Sequence, residues 1–169
     1  MENRAWAAFV WIPMLLFVIS VSCSSGETSE NDYFDPLGKA ASKYNSARND
    51  VDNIIRDINF GPPPGDRPSD IRVWLNQRVD ILETAILDMN AASGSLGQQV
   101  PPSRLQPHQS ATLRAWRTGI EATVIIRLYL LDFLETGRDD FSLIIRANRL
   151  FGEEDQFQLE ARNVLEALR

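Results

Sequence analysis

The chain has 169 residues and a formal charge of -6, from 17 Lys and Arg against 23 Asp and Glu. An acidic surface repels phosphate backbones and anionic lipid headgroups, which argues against a nucleic-acid binder and against membrane docking through a basic patch. A single cysteine and a single histidine exclude a disulfide framework within the chain and a Cys/His metal cluster.

An apolar stretch near the N-terminus, Ala5–Val21, carries no charged residue and is separated by one residue from Cys23, the only cysteine. Its length is typical of a signal-peptide core and lies at the short edge for a membrane span, which needs about 20 residues. Pro13 in its middle further disfavours a permanent span. The segment Ser20-Val21-Ser22-Cys23 resembles the lipobox of bacterial lipoproteins, in which a small residue precedes the cysteine. Ser20 stands where that family usually has an aliphatic residue.

The resemblance implies attachment of diacylglycerol to the Cys23 sulfur, cleavage before Cys23 and acylation of the new amino terminus. Acyl chains such as palmitate would then hold the protein in the cell membrane or the outer membrane, with the domain on the extracytoplasmic side. Two alternatives stay open. Ser20 and Ser22 also suit ordinary signal-peptidase cleavage, which would give a soluble secreted protein, and an uncleaved segment would remain as an anchor.

The sequence therefore divides into three parts. We predict a lipoprotein signal peptide over residues 1–22, a lipidated Cys23 and flexible polar tether over 23–34, and a helical bundle over 35–169. The tether is predicted because residues 24–32 are small and polar and offer too little apolar surface to fold.

Four helices are predicted, over about residues 36–59, 69–92, 107–136 and 140–168. Their apolar residues recur at alternating spacings of three and four, a heptad pattern typical of helices packed nearly parallel or antiparallel. Strand signals are absent from the sequence. Four such helices of similar length predict an all-α four-helix bundle, most simply with up-down-up-down topology.

Local signals predict where these helices begin and end. Asp35–Pro36 predicts the start of the first helix, and the Gly61–Gly65 run of glycine and proline ends it. Ser93–Gly97 is predicted to stop the second helix, and Gly137 to cap the third. The heptad spacing of the fourth continues through Gly152, which favours one helix over two.

Three charged side chains fall on the inward stripes of these helices: Arg78, Arg127 and Glu154. A buried charge has to be paired, so the favoured interpretation is an Arg–Glu pair that fixes helix register, or side chains that reach out to an edge. The alternative is a mid-bundle pocket that binds an acidic or amphipathic small molecule through Arg78 and Arg127. Arg48, by contrast, is assigned to the solvent-facing side of the first helix.

No catalytic or cofactor motif is found in the sequence. His108 lies near a helix start and is predicted to be solvated or to cap the helix, and Cys23 lies outside the domain. Glu121 and Asp132 on the third helix leave a weaker enzyme hypothesis. Trp74 and Trp116 lie on apolar stripes and are predicted to be core residues.

The predicted function is a membrane-tethered, non-enzymatic structural or protein-interaction module of the cell envelope, without a cofactor. Its predicted partners are the lipid bilayer, through the acyl chains on Cys23, and an envelope protein. The alternatives are a ligand-binding lipoprotein that uses the pocket and an uncleaved membrane-anchored protein of the same architecture.

Overall fold

The computed structural model describes residues 29–60 and 67–168, and these residues form four long helices. Helix α1 spans Glu30–Phe60, α2 spans Pro68–Gly97, α3 spans Gln106–Thr136 and α4 spans Phe141–Ala167, with a single 3₁₀ turn at Ser103–Leu105. No strand occurs within these described ranges. The predicted all-α four-helix bundle is confirmed. The predicted signal peptide, Cys23 and the first part of the tether lie outside the described residues.

Ion pairs between neighbouring helices show the topology. Lys43 pairs with Asp88 and Asp57 with Arg78, so residue numbers rise along α1 as they fall along α2. The same reversal relates α3 to α4, where Arg114 pairs with Glu160 and Glu121 with Arg146. Helices α2 and α3 also pack against each other, whereas α1 and α4 meet mainly through side chains. The bundle is therefore up-down-up-down, with a seam between its first and last helices.

Helix α1 begins earlier than its sequence predicts. Ser29 and Asp32 form a reciprocal cap, in which Ser29 N donates to Asp32 Oδ2 at 3.2 Å and Asp32 N donates to Ser29 Oγ at 3.2 Å. The predicted start at Asp35–Pro36 is wrong because Tyr33, which is 1% exposed, packs into the core and holds the first turns in place. Pro36 therefore lies inside the helix. Residues 30–34 belong to α1, which shortens the predicted tether.

Helix α2 continues through the Ser93–Gly97 segment that was predicted to end it. Ser93 and Leu96 are buried, so tertiary packing outweighs the low helix propensity of the serines and glycines. The Gln109 side chain of α3 donates to the carbonyl oxygen of Leu96 at 2.8 Å, which provides a partner near the extended end of α2.

The ends of α3 and α4 follow the predicted signals. Gly137 adopts a left-handed conformation with φ of 69° and donates its N–H to the carbonyl of Phe133 at 2.9 Å. The Asp140 carboxylate accepts from Ser142 N at 3.1 Å and caps α4. Helix α4 then runs unbroken through Gly152, which confirms the single-helix prediction.

The core lies along the inward stripes of all four helices. Helix α3 carries more buried residues than any other described helix. Its buried side chains include Trp116, Ile126 and Leu130, and they pack against residues such as Leu82 and Met89 of α2. Within the described part of the chain, no helix combines the length and apolar content needed to cross a membrane.

Replacing Gly152 by alanine is expected to raise the free energy of unfolding by about 0.5–1 kcal/mol, because glycine in a helix interior is entropically unfavourable. A Cβ added at Gly152 would meet no atom within 4 Å, so nothing in the packing opposes the gain. Urea denaturation monitored by circular dichroism measures the change. A loss of stability would instead indicate that α4 needs a flexible point at this position.

Candidate functional site

A fully buried carboxylate, that of Glu154, lies midway along α4. Its Oε1 accepts hydrogen bonds from Tyr44 Oη at 2.6 Å and from Gln158 Nε2 at 3.2 Å. Its Oε2 accepts from Arg48 Nε at 3.0 Å, which makes an ion pair across the seam. Because a buried charge is costly without partners, these three groups account for how Glu154 can remain inside the bundle.

Helical spacing brings the members of this Glu154 cluster together. Tyr44 and Arg48 are one turn apart on α1, and Glu154 and Gln158 are one turn apart on α4, so each pair shares one helix face. The two faces meet across the seam. The cluster therefore joins the first and last helices through side chains at a level where their backbones do not pack closely.

Gly119 of α3 leaves the space in which the cluster sits. A Cβ on this residue would lie 2.6 Å from Glu154 Oε1 and would overlap the Tyr44 hydroxyl. The Tyr44 ring stacks on the Trp116 indole, with ring centroids 4.7 Å apart and planes within 10° of parallel. Trp116 is buried, which confirms the prediction that it is a core residue.

Burial and charge fix the protonation of the groups around Glu154. Burial and the adjacent carboxylate raise the pKa of the Tyr44 hydroxyl, which therefore keeps its proton and donates. Burial opposes the charge on Arg48, but Glu154 and Asp52 outweigh it and raise the pKa of the guanidinium. Arg48 also lies over the Phe151 ring, 3.9 Å from its centroid. Tyr44 is therefore a hydrogen-bond donor and Arg48 a cation at the Glu154 carboxylate.

The sequence-predicted arginines are not part of this cluster. Arg78 donates to Asp57 Oδ2 at 2.7 Å and lies over the half-buried Trp74 ring. Arg127 lies 3.5 Å from Glu83 Oε2. The predicted Arg–Glu pair at Glu154 therefore exists, but Arg48 provides the cation.

Arg48 was missed because it borders the apolar stripe of α1 and its charge assigned it to solvent. One signal in the sequence was its position one turn after Tyr44, an aromatic residue on the stripe itself. In the structure the Arg48 side chain is 17% exposed, so most of it is covered by the bundle.

The seam between α1 and α4 opens into a groove beside the Glu154 cluster. One part has a volume of about 300 Å³, with His108, Thr112 and Trp116 of α3 among its lining residues and with walls that include Ala41 and Leu165. A second part of about 260 Å³ shares Leu165 and reaches Glu30 and Arg104 at the end of the bundle. We call these two parts together the α1–α4 groove.

A separate groove of about 200 Å³ lies near the opposite end, bordered by Ile58, Trp74 and Tyr129 among others. Arg78 and Arg127 line none of these three spaces. A ligand pocket built by those two arginines stays a prediction.

His108 is buried inside the bundle, contrary to the prediction of a solvated or capping residue. Its side chain is 5% exposed, and its Nδ1 lies 3.0 Å from Tyr33 Oη. The early start of α1 explains the difference, because it places Tyr33 over the beginning of α3. Burial lowers the pKa of the His108 imidazole and raises that of the Tyr33 hydroxyl to about 12.

The carboxylates of the enzyme hypothesis do not converge. Glu121 is about half exposed and pairs with Arg146 at 2.9 Å, and Asp132 lies on the same helix three turns further on. Among the residues that the structure describes, no group of three or more His, Cys, Asp or Glu side chains could hold a metal ion.

Comparison with protein families, with curated proteins and with solved structures finds no match to this chain. Three features of the molecule bear on its function: the Glu154 cluster, the α1–α4 groove and the N-terminal segment.

Replacing Arg48 by methionine is expected to lower the free energy of unfolding by about 3 kcal/mol, because Glu154 would lose its buried counter-charge. Adding Glu154→Leu to that variant should recover most of the loss, since the double replacement removes both charges. Arg146→Met is a matched control at the exposed Glu121 pair and should cost less than about 1 kcal/mol. Urea denaturation measures all three. A double variant as unstable as Arg48→Met would contradict the pairing.

Stability should fall as the pH drops below about 6.5, because the folded protein holds His108 with a lowered pKa. As the pH falls, His108 binds a proton in the unfolded chain before it does so in the folded protein. The contribution of neutral His108 to stability is therefore complete above the pKa that His108 has in the unfolded chain, and it is lost as the pH falls toward the pKa in the folded protein. One proton contributes at most about 1.4 kcal/mol per pH unit.

His108 is the only histidine, so His108→Gln should remove this part of the pH dependence. Urea midpoints of both proteins between pH 5 and 8 provide the comparison. Parallel pH profiles would show that His108 does not have the lowered pKa.

Proposed function

We propose that this chain is a lipid-anchored lipoprotein of the cell envelope, with its bundle on the extracytoplasmic side of the cell membrane or outer membrane. In this role the bundle acts as a non-enzymatic structural or protein-interaction module. The observation that carries the proposal is the position of Cys23, the only cysteine, directly after the lipobox-like Ser20-Val21-Ser22.

The start of α1 supports a short anchor. Cys23 stands seven residues before Glu30, the first residue of α1. Even fully extended, that stretch spans at most about 25 Å. A bundle anchored through Cys23 would thus stay close to the bilayer, with the end that contains Glu30 and Arg104 nearest to it.

The hydrogen bonds of the Glu154 cluster support a structural role for this buried charged group. Tyr44, Arg48 and Gln158 all direct hydrogen bonds to this carboxylate. A carboxylate with three such partners ties α1 to α4 and specifies how the helices associate. A ligand-binding role through Arg78 and Arg127 gains no comparable support, because each has its own acidic partner on another helix.

We expect the full-length protein, produced in a bacterial host fed an alkyne analogue of palmitate, to incorporate the label at Cys23. Mass spectrometry of the mature amino terminus measures the modification, and Cys23→Ser is the matched control that keeps size and polarity. Label in the wild-type protein but not in Cys23→Ser supports the anchor. An unmodified Cys23 at the mature terminus indicates secretion without lipid, and a retained Met1 indicates an uncleaved anchor; either result refutes the proposal.

A further inference from the structure

The α1–α4 groove runs along the bundle from its end to the Glu154 cluster. The Glu154 cluster lies beside its inner part, where Gln158 both borders the groove and donates to Glu154. Its outer end is bordered by Glu30, Phe34 and Leu168. The groove thus reaches the end of the bundle at which α1 begins.

The groove follows α1 over several turns. From Glu30 to Asn45, both of which border it, α1 rises about 22 Å. The two parts of the groove measure about 300 Å³ and about 260 Å³. A long, thin alkyl chain can lie along a space of this length.

The lining contains an apolar path between α1 and α4, flanked by polar side chains such as Asn45 and Arg162. Leu37 and Ala41 of α1 face Ala161 and Leu165 of α4 across the groove, and the indole of Trp116 lies on its floor. An alkyl chain placed here would remove the half-buried Leu37, Ala41 and Leu165 from water. The ion pair of Glu30 with Arg104 at the outer end leaves no net charge there, which suits a chain that is linked through a neutral ester or amide.

We propose that the α1–α4 groove binds one of the acyl chains attached to Cys23. This inference rests on the proposed lipid anchor. Cys23 is within about 25 Å of Glu30 along the chain, so the acyl chain and the outer end of the groove are held together at high effective concentration.

The energetics favour such an exchange. An acyl chain that moves from the bilayer into the groove passes between two apolar surroundings, so its own transfer costs little. The groove lining gains about 25 cal/mol for each Å² of apolar surface that the chain removes from water. The remaining acyl chains keep the protein on the membrane, because two chains anchor firmly where one binds only marginally. Binding in the groove would hold the end of the bundle against the bilayer.

Photo-crosslinking in intact cells tests this site. The full-length protein is produced in a bacterial host fed a palmitate analogue with a mid-chain diazirine, the cells are irradiated, and the protein is digested and analysed by mass spectrometry. We expect crosslinked peptides that join the Cys23 peptide to the α1 segment 37–45 or the α4 segment 161–165. Ala41→Trp, which fills the groove, should reduce these crosslinks at least fivefold.

Ala91→Trp is the control, because Ala91 is exposed on α2, away from the groove. Circular dichroism of each variant verifies folding, and the wild-type crosslink positions test the proposal even if Ala41→Trp does not fold.

Each other result overturns the proposal. Groove peptides bearing a free fatty acid, whose carboxylate would suit Arg162, or a phospholipid would show that the chain comes from elsewhere. A crosslinked dimer would show that one copy inserts its chain into another. Labelled Cys23 without groove crosslinks would refute the groove but leave the anchor intact, whereas unlabelled Cys23 would refute both.

Discussion

The burial of one negative charge constrains how this bundle is assembled. Glu154 has no exposed surface, so its carboxylate needs compensating groups from another helix, and α1 supplies both Tyr44 and Arg48. Hydrophobic stripes alone would tolerate several rotations and sliding offsets of α1 against α4. Few of these arrangements bring the Glu154 carboxylate into contact with both the Arg48 guanidinium and the Tyr44 hydroxyl. The polar cluster thus contributes specificity, while the apolar core contributes most of the stability.

The same cluster explains the shape of the seam. Helices α1 and α4 come together through long side chains at the level of Glu154, and toward the Glu30 end the facing residues include the small Ala41 and Ala161. The helices cannot close over this stretch while the cluster sets their spacing. The α1–α4 groove thus lies beside the Arg–Glu–Tyr group that joins the two helices.

Periodicity and end signals in the sequence predicted the helices well, and tertiary partners account for the errors. The heptad stripes, Gly137 and Asp140 act locally, so the sequence around them was sufficient. The starts and ends that failed depend on distant groups: Tyr33 needs His108, and the end of α2 needs Gln109. For the same reason, only one member of the charged pair in the Glu154 cluster was predicted. Periodicity placed Glu154 inside, but only the three-dimensional arrangement selects Arg48 over Arg127 as its cation.

Gly119 has a consequence for the order in which the chain folds. Its missing side chain admits Tyr44 and Glu154, two residues separated by 110 positions along the chain. Forming a contact between residues so far apart in sequence closes a long loop, which costs conformational entropy before the contact contributes energy. Helices α3 and α4 are neighbours in sequence, so their association closes only a short loop. We expect α3 and α4 to associate first, with a notch at Gly119 already shaped, and α1 to dock into it late. Changes to this notch would then act chiefly on the rate of unfolding, so the cluster would govern how long the folded protein persists.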